Sequence, residues 1–420
     1  MGLVAAIPNV GKRIYWENPQ PESGDAAIPF TVITVKNYVE VGIYISHTQL
    51  WLNLTMPPAV AKLRPRIRGG RGTKRLYGKR TYAMAEQTIV FAQGIEMPSD
   101  ILAQVQQMKP AGFTLHMLPP AASAAEIAAA IREAEYLLGF PRFLPDEAYT
   151  EAKRLKLLQV LSAGYDYVNI AGARKARIPI CANGGANSVA VAEHAIMLML
   201  AVYRKLVAFH QNVAGGRWHQ GIPRTVGIYE LEGKTVGLLG LGNIGRQVAR
   251  RVKAFDAQVI YYDALRRSPQ EEAELGVQYV PLDTLLATAD VVSLHVPLND
   301  STRHMIGAEA LGRMKPTAIL VNTCRGEVVD EPALIEALRQ ERILGAGLDT
   351  QEKEPADPHN PLLTLPNVTL TPHSAGPTVD SYHKRFHNGY ANIERVARGQ
   401  PPVWVIPEMR DLFPEAPGAA

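Results

Sequence analysis

Cys181 and Cys324 are the only cysteines in 420 residues. That excludes a disulfide framework and a cysteine-based zinc site, and no metal is expected. It also suits a reducing compartment, so a cytoplasmic location is expected. Long apolar runs are missing too. Val189–Val202 is interrupted by Glu193 and His194, which leaves it too short and too polar to span a bilayer. Nor is basic charge spread along the chain. The residues before Met84 carry a net +8, so the remainder carries −4 against a total of +4. Nothing in that mildly acidic body points to nucleic acid.

What is present reads as globular: 47% of the residues are hydrophobic and 20% charged, with room for two or three domains. Met1–Ala83 shows no pattern from which a domain can be built. Phe30–Leu54 is β-rich and can pair as a hairpin. Arg64–Arg80 is rich in Arg, Lys and Gly and reads as solvated and disordered. Residues 1–83 are therefore expected to lie outside the catalytic fold, with Met84 a candidate start. A cleaved leader and a regulatory extension are the competing readings.

From Met84 the pattern alternates. Strands are expected at Thr88–Ala92, Phe113–Met117, Tyr136–Gly139 and Leu157–Leu161. Helices are expected at Ser99–Met108, with Ser99 as cap, at Ala124–Glu133 and at Asp146–Lys153. Alternating β and α implies a parallel sheet with helices on both faces. Asn187–Leu206 reads as one long apolar helix. The loop Gly215–Tyr229 lacks periodicity and reads as an arm for a partner subunit. Further strands are expected at Val291–His295, Ala318–Asn322, Gly345–Asp349 and Val368–Leu370. The intervening helices are Gly307–Met314 and Glu331–Arg339, and Ser381–Arg398 follows the last strand.

The stretch Thr235–Asp263 organises this alternation. A buried-strand run, Thr235–Leu239, feeds the turn Gly240-Leu241-Gly242-Asn243-Ile244-Gly245. A helix follows, with Ile244, Val248, Val252 and Phe255 near its apolar stripe. The strand Gln258–Tyr262 then ends at Asp263. This is the order a dinucleotide-binding βαβ unit needs. Gly240 permits the turn, Gly242 admits a pyrophosphate at the helix N-terminus, and Gly245 lets helix and strand pack closely. Asp263 can accept bonds from ribose hydroxyls and favours NAD over NADP. Arg266 and Arg267 lie near enough in sequence to blunt that preference.

Ligands of such sheets bind beyond the carboxyl ends of the strands. Reading there gives His295, Pro297 and Thr302, then Asn322-Thr323-Cys324-Arg325. Further on come Asp349 with Glu352 and Glu354, then Pro372-His373-Ser374-Ala375-Gly376. An arginine, a carboxylate and a histidine at one rim suit hydride transfer at a 2-hydroxy acid. A guanidinium clamps a carboxylate, an imidazole moves a proton near neutral pH, and a carboxylate orients the imidazole. Each also has a structural reading. Arg325 could serve a surface salt bridge, and Glu354 could be a solvated loop acid. His359, His383 and His387 read as structural, Glu352 as the decoy, and Arg142 as solvent-facing or substrate-facing.

On these motifs the chain resembles the D-isomer-specific 2-hydroxyacid dehydrogenases, from about Met84 to about Met409. GLGNIG with Asp263 matches the family's cofactor fingerprint, and HVPLNDSTRHMI its adenosine-side segment, with His295, Pro297 and Thr302. VNTCRGEVVDEPAL, GAGLDTQEKEP and TPHSAG carry the catalytic Arg325, Glu354 and His373. The resemblance implies NAD, with Asp349 toward its carboxamide. Thr323, Cys324, Ala375 and Gly376 lie on the same rim. It also implies substrate-carboxylate contacts from the backbone of Ser162, Ala163 and Gly164, and a homodimer. Cys324 departs from the usual Ala or Ser and adds a candidate oxidation-sensitive thiol. The expected fold is α/β, with two Rossmann-like doubly wound domains. An NAD domain at residues 188–376 is inserted into a substrate domain made of 84–187 and 377–409, and 410–420 is a tail. Glyoxylate, hydroxypyruvate, pyruvate and 3-phosphoglycerate chemistry all remain open. So does a second class of function, a cofactor-sensing interaction protein like the corepressors that share this fold.

Overall fold

The computed structural model describes three strands between residues 31 and 52, and residues 87–219 and 227–416. The chain divides into two compact units, Met1–Thr81 and Tyr82–Ala420. In the first, β1 (Thr31–Val35), β2 (Tyr38–Ile45) and β3 (Thr48–Leu52) form an antiparallel meander in that order. The β-rich stretch pairs as expected, with one strand more than a hairpin. Arg64–Arg80 and Met84 lie outside the described residues.

The second unit holds two parallel sheets. The first is built from β4 (Gln87–Ala92), β5 (Phe113–Leu118), β6 (Tyr136–Gly139), β7 (Leu157–Val160) and β8 (Ile180–Cys181). Its strand order is β5-β4-β6-β7-β8, a doubly wound arrangement. The helices between these strands are α1 (Ser99–Gln107), α2 (Ala124–Ile131), α3 (Asp146–Glu151) and α4 (Ile170–Ala176). Ser99 does not cap α1. Pro98 precedes it, and the Pro98 carbonyl already accepts the Leu102 N–H, so Ser99 lies inside the first turn. α2 carries a full capping box, Ser123 with Glu126.

The long apolar helix expected at Asn187–Leu206 spans Ser188–Tyr203, and a further short helix follows it. α5 (Ser188–Tyr203) ends where Lys205 takes a left-handed φ of 49°, and α6 (Leu206–Ala214) begins. The break has no Gly or Pro and is marked in the sequence only by Arg204 and Lys205.

The second sheet has seven strands in the order β11-β10-β9-β12-β13-β14-β15, all parallel. They are β9 (Thr235–Leu239), β10 (Gln258–Tyr262), β11 (Gln278–Tyr279), β12 (Val291–Leu294), β13 (Ile319–Asn322), β14 (Gly345–Leu348) and β15 (Val368–Leu370). α7 (Asn243–Val252) and α8 (Pro269–Leu275) pack with α5 on one face. α9 (Leu282–Thr288), α10 (Ala308–Arg313) and α11 (Glu331–Arg339) cover the other. The order reverses between β9 and β12, which places a crevice at their carboxyl ends. α7 buries Gly245, Val248, Ala249 and Val252. Phe255 does not continue that stripe. It falls in a 3-10 turn beyond the helix and is largely exposed.

α12 (Val379–Ala397) leaves the second sheet and returns to the first. Tyr382, Phe386, Tyr390 and Ile393 recur at helical spacing and join the core of the five-stranded sheet. Asn392 donates to the Gln159 side chain of β7 at 2.7 Å, and the Tyr390 hydroxyl donates to the Val105 carbonyl at 2.7 Å. Both sheets are thus doubly wound, and the seven-stranded one is inserted into the chain of the other. Among the described residues no helix is long and apolar enough to cross a membrane.

Candidate active site

The glycine turn after β9 behaves as its spacing predicts. Gly240 has a φ of 95°, and a Cβ there would strike the His295 carbonyl that follows β12. At Gly245 a Cβ would strike the Gly240 carbonyl oxygen, so helix and strand can approach only with glycine in place. Gly242, the N-cap of α7, faces open space: nothing lies within 4 Å of where its Cβ would be. Backbone and helix dipole therefore present an unobstructed positive end, which suits a pyrophosphate.

Asp263 ends β10 and turns back onto this loop. Its Oδ2 accepts the Leu241 N–H at 2.8 Å, and its Oδ1 accepts the Leu265 N–H at 3.1 Å. Arg267 pairs with it at 3.3 Å. Arg266 points elsewhere: Glu272 holds it through bonds of 2.9 and 3.0 Å, and it lies over the Tyr279 ring. Of the two arginines, only Arg267 bears directly on Asp263.

Several buried polar atoms at the rim have no partner among the described residues: His295 Nδ1, Thr323 Oγ1 and Thr350 Oγ1. Buried polar groups are normally satisfied, so these fit a bound group that supplies the missing bonds. Burial pushes the His295 imidazole down to about 3, so it is neutral near pH 7, and its Nε2 bonds the Ser293 hydroxyl at 2.9 Å. Thr302 is buried, and its hydroxyl donates to the Pro297 carbonyl at 2.6 Å, fixing the loop after β12. Burial pushes the Cys324 thiol up to about 11, and it donates to the Asn322 side-chain oxygen at 3.1 Å. A thiol held protonated is less reactive than a thiolate, which weighs against an oxidation-sensitive role.

The three reactive candidates meet at this crevice. His373 follows β15 and adopts a left-handed φ of 51°. That conformation is uncommon for a non-glycine residue and is favoured where the surroundings hold it. Asp349, after β14, imposes it. Its carbonyl accepts the His373 N–H at 2.8 Å. Its carboxylate accepts the Thr371 hydroxyl at 2.6 Å and the N–H groups of Ser374 and Ala375 at 2.8 and 2.9 Å. His194 of α5 backs the cluster, 2.9 Å from the Thr371 hydroxyl. Asp349, expected toward the cofactor, thus has a second task that no local sequence signal shows. His194 was read only as an interruption in an apolar run.

The His373 Nδ1 lies 2.7 Å from Glu354 Oε2. Burial opposes ionisation of Glu354. The hydrogen bond and charge of His373, the Gln351 N–H and the more distant Arg325 outweigh it and hold the carboxyl below its ordinary value. Glu352, two residues away, is not part of this pair. It sits 2.9 Å from His304 and exchanges backbone bonds with Glu331. His359, His383 and His387 make no ion pair with these groups among the described residues.

Arg325 follows β13. Its Nη1 donates to the Cys324 carbonyl at 2.8 Å, and its Nε and Nη2 both lie 2.9 Å from Asp166 Oδ1. Its guanidinium lies against Gly164, where a Cβ would collide with Nη2. The loop Ser162–Gly164 of the five-stranded sheet and the arginine of the seven-stranded sheet are thus brought together. In that loop the Ser162 hydroxyl donates to the Gly164 carbonyl at 2.6 Å and lies 2.7 Å from the Tyr167 hydroxyl. Asp166 was not foreseen and carries no sequence signal of its own. Arg142 donates to the Ala122 carbonyl at 2.8 Å, which favours a structural reading.

Known proteins share this architecture. Residues 196–375 match the family model described as "D-isomer specific 2-hydroxyacid dehydrogenase, NAD binding domain". A glyoxylate reductase of Korarchaeum cryptofilum is 42% identical over 270 residues, covering 64% of this chain and 81% of that protein. A solved glyoxylate reductase from Paecilomyes thermophila superposes with a TM-score of 0.68 at 29% identity, covering 77% of this chain and 99% of that one. An acyclic imino acid reductase solved with NADPH and D-Arg gives a TM-score of 0.67 at 29% identity, over 76% of this chain and all of that one.

Proposed function

We propose a catalytic assignment from one premise: the chain belongs to the D-isomer-specific 2-hydroxyacid dehydrogenases, NAD-dependent enzymes that interconvert 2-hydroxy and 2-oxo acids. The observation that carries the assignment is the His373–Glu354 pair beside Arg325. NAD, when bound, supplies the nicotinamide that takes or gives the hydride. Gly242 and the N-terminus of α7 would hold its pyrophosphate, and Asp263 its ribose hydroxyls. His295, Pro297 and Thr302 would line the adenosine side, with Thr323 and Asp349 nearer the reacting end.

Arg325 and the backbone of Ser162–Gly164 hold the substrate carboxylate. The planar guanidinium can meet both carboxylate oxygens, and Asp166 gives up part of its hold when substrate arrives. With Nδ1 bonded to Glu354, the His373 imidazole presents Nε2 to the substrate. In oxidation Nε2 takes the hydroxyl proton, and in reduction it returns a proton to the oxo oxygen. Glu354 fixes the ring orientation and stabilises the imidazolium. Asp349 is the positioning residue that keeps His373 in its left-handed backbone conformation.

Residues 188–376 serve as the cofactor domain, and 84–187 with 377–409 as the substrate domain. The names of the similar proteins favour a small 2-oxo acid. We also infer a homodimer and a cytoplasmic location. The arm around Trp218 and Val213 exposes apolar side chains in a single chain, which supports the dimer, and sedimentation of the purified protein tests it. The function itself is tested by NADH oxidation on a panel of 2-oxo acids. Saturable turnover on at least one is expected. No turnover on any would remove the assignment and leave a cofactor-sensing binding role.

A further inference from the structure

α12 carries one charge inside its apolar stripe. Arg385 lies between Tyr382 and Phe386 on the buried face and is only 5% exposed. It makes no ion pair with any described residue. Its Nη2 donates to the Gly376 carbonyl at 2.8 Å, its Nε is buried without a partner, and its Nη1 has no hydrogen-bond partner among the described residues. Its guanidinium lies 5.1 Å from the Tyr382 ring centroid and 6.0 Å from that of Phe140. Cation–π contacts of this kind are weaker than the desolvation of a buried cation, so they do not compensate for a missing anion.

The position of that guanidinium is informative. Phe140 immediately follows β6, at the carboxyl edge of the five-stranded sheet. Gly376 belongs to the loop after β15, three residues from His373, at the carboxyl edge of the seven-stranded sheet. Arg385 therefore touches both edges of the crevice that holds the candidate site. Tyr167, bonded to Ser162, is near enough to feel the charge of both Arg325 and Arg385. The nearby acid, Asp166, is already held by Arg325.

We propose that Arg385 is a second anion anchor in the substrate site and selects 2-oxo acids whose far end carries another oxyanion, a carboxylate or a phosphate ester. This rests on the assignment of Arg325 as the clamp for the first carboxylate. The far oxyanion supplies the counter-charge that the fold withholds from Arg385, whose guanidinium lies beside the Phe140 and Tyr382 rings. Substrates without that group leave a buried cation unpaired, which lowers their affinity.

Two matched pairs of substrates test this with NADH: pyruvate against oxaloacetate, and hydroxypyruvate against its phosphate ester. The purified protein is expected to favour the charged member of at least one pair in kcat/KM. Which pair responds separates carboxylate from phosphate. In Arg385→Met that preference should fall by about 30-fold or more, mainly through KM, and Arg385→Lys should restore part of it. Equal kcat/KM within both pairs overturns the proposal. So does an Arg385→Met variant that slows both members of each pair by one factor, since that marks Arg385 as only a prop for the Gly376 carbonyl.

Calorimetric titration of the NADH-bound protein gives a readout independent of turnover. For the carboxylate case the probes are succinate against butyrate, and for the phosphate case 3-phosphoglycerate against glycerate. A charged-ligand advantage in one pair that Arg385→Met abolishes supports the proposal even where no 2-oxo acid is reduced, an outcome that would remove the reaction assignment alone. The absence of such an advantage in both pairs overturns it.

Discussion

At the scale of single residues, the candidate site is a set of side chains whose neighbours fix their chemistry. His373 has Glu354 on one ring nitrogen and is free to act through the other. His373→Ala is therefore expected to lower kcat by about 10²–10⁴-fold while NADH affinity changes little, as steady-state rates and fluorescence titration would show. Glu354 is held below its ordinary value, so it is ionised across the neutral range, where the proposed pair needs its charge. Glu354→Gln should move the acid limb of the pH–rate profile, whereas Glu352→Gln should leave it in place, because Glu352 serves His304 and Glu331. A profile that moves equally in both variants would reassign the carboxylate. Cofactor choice also belongs at this scale. With Asp263 at the ribose as proposed, it would repel a 2′-phosphate and Arg267 would partly offset this, while Arg266 is held by Glu272. NADH should exceed NADPH in kcat/KM, and a clear preference for NADPH would show that Arg267 prevails.

At the scale of elements, the β9–α7 turn depends on close approach. Gly245→Ala places a methyl on the Gly240 carbonyl, so the helix must shift away from the strand. Overpacking of this kind costs about 1–3 kcal/mol. NADH affinity and thermal midpoint should fall together, and a variant with unchanged affinity would separate the turn from cofactor binding. The entry to β12 is tied down by a charge. Asp290 accepts the Thr235 N–H at 2.9 Å and Lys315 at 2.9 Å. Burial by itself would raise its carboxyl, but these partners hold it below its ordinary value. A carboxyl lowered in the folded state stabilises at neutral pH, and that contribution is lost as pH falls through the folded value. Asp290→Asn should therefore be less stable than the parent by about 1–2 kcal/mol at pH 7. The difference should shrink as the pH falls below the ordinary aspartate range. Urea melts at both pH values would check it, and a pH-independent difference would exclude the ionic origin.

At the scale of the molecule, Tyr82–Ala420 is one compact unit that contains both doubly wound sheets and the whole candidate site. The chain starting at Met84 is expected to fold and to turn over like the full chain. Loss of activity on that deletion would show that residues 1–83 contribute to the enzyme. Bound cofactor should stabilise the molecule by mass action. NADH at a hundred times its Kd contributes about 2.7 kcal/mol. That corresponds to a rise of roughly 3 °C in thermal midpoint for a chain of this length. The Gly245→Ala protein should show a smaller rise at the same concentration.

Periodicity and strand ends determined much of this protein from sequence alone. The alternation after Met84, the glycine turn with Asp263, and Arg325, Glu354 and His373 after successive strands were all legible. Local rules govern those features: backbone period, turn chemistry, and the tendency of parallel sheets to bind at their carboxyl edge. Other features were present in the sequence but unread. α8 has Ser268 and Glu271 as a capping box, Pro269 in its first turn and Gly276 beyond its end. Arg385 sits visibly inside the apolar stripe of α12. The two-residue strands β8 and β11 are too short to show a period.

What remained was decided by contacts between distant parts of the chain. Asp166 meets Arg325 across 159 positions, and Asn392 meets Gln159 across 233. The left-handed backbone of His373 is imposed by Asp349, 24 positions away in the chain. Local pattern says which face of an element is buried and where its ends lie. Which charged groups then face one another depends on how two sheets close over a shared crevice, and only the packed structure supplies that.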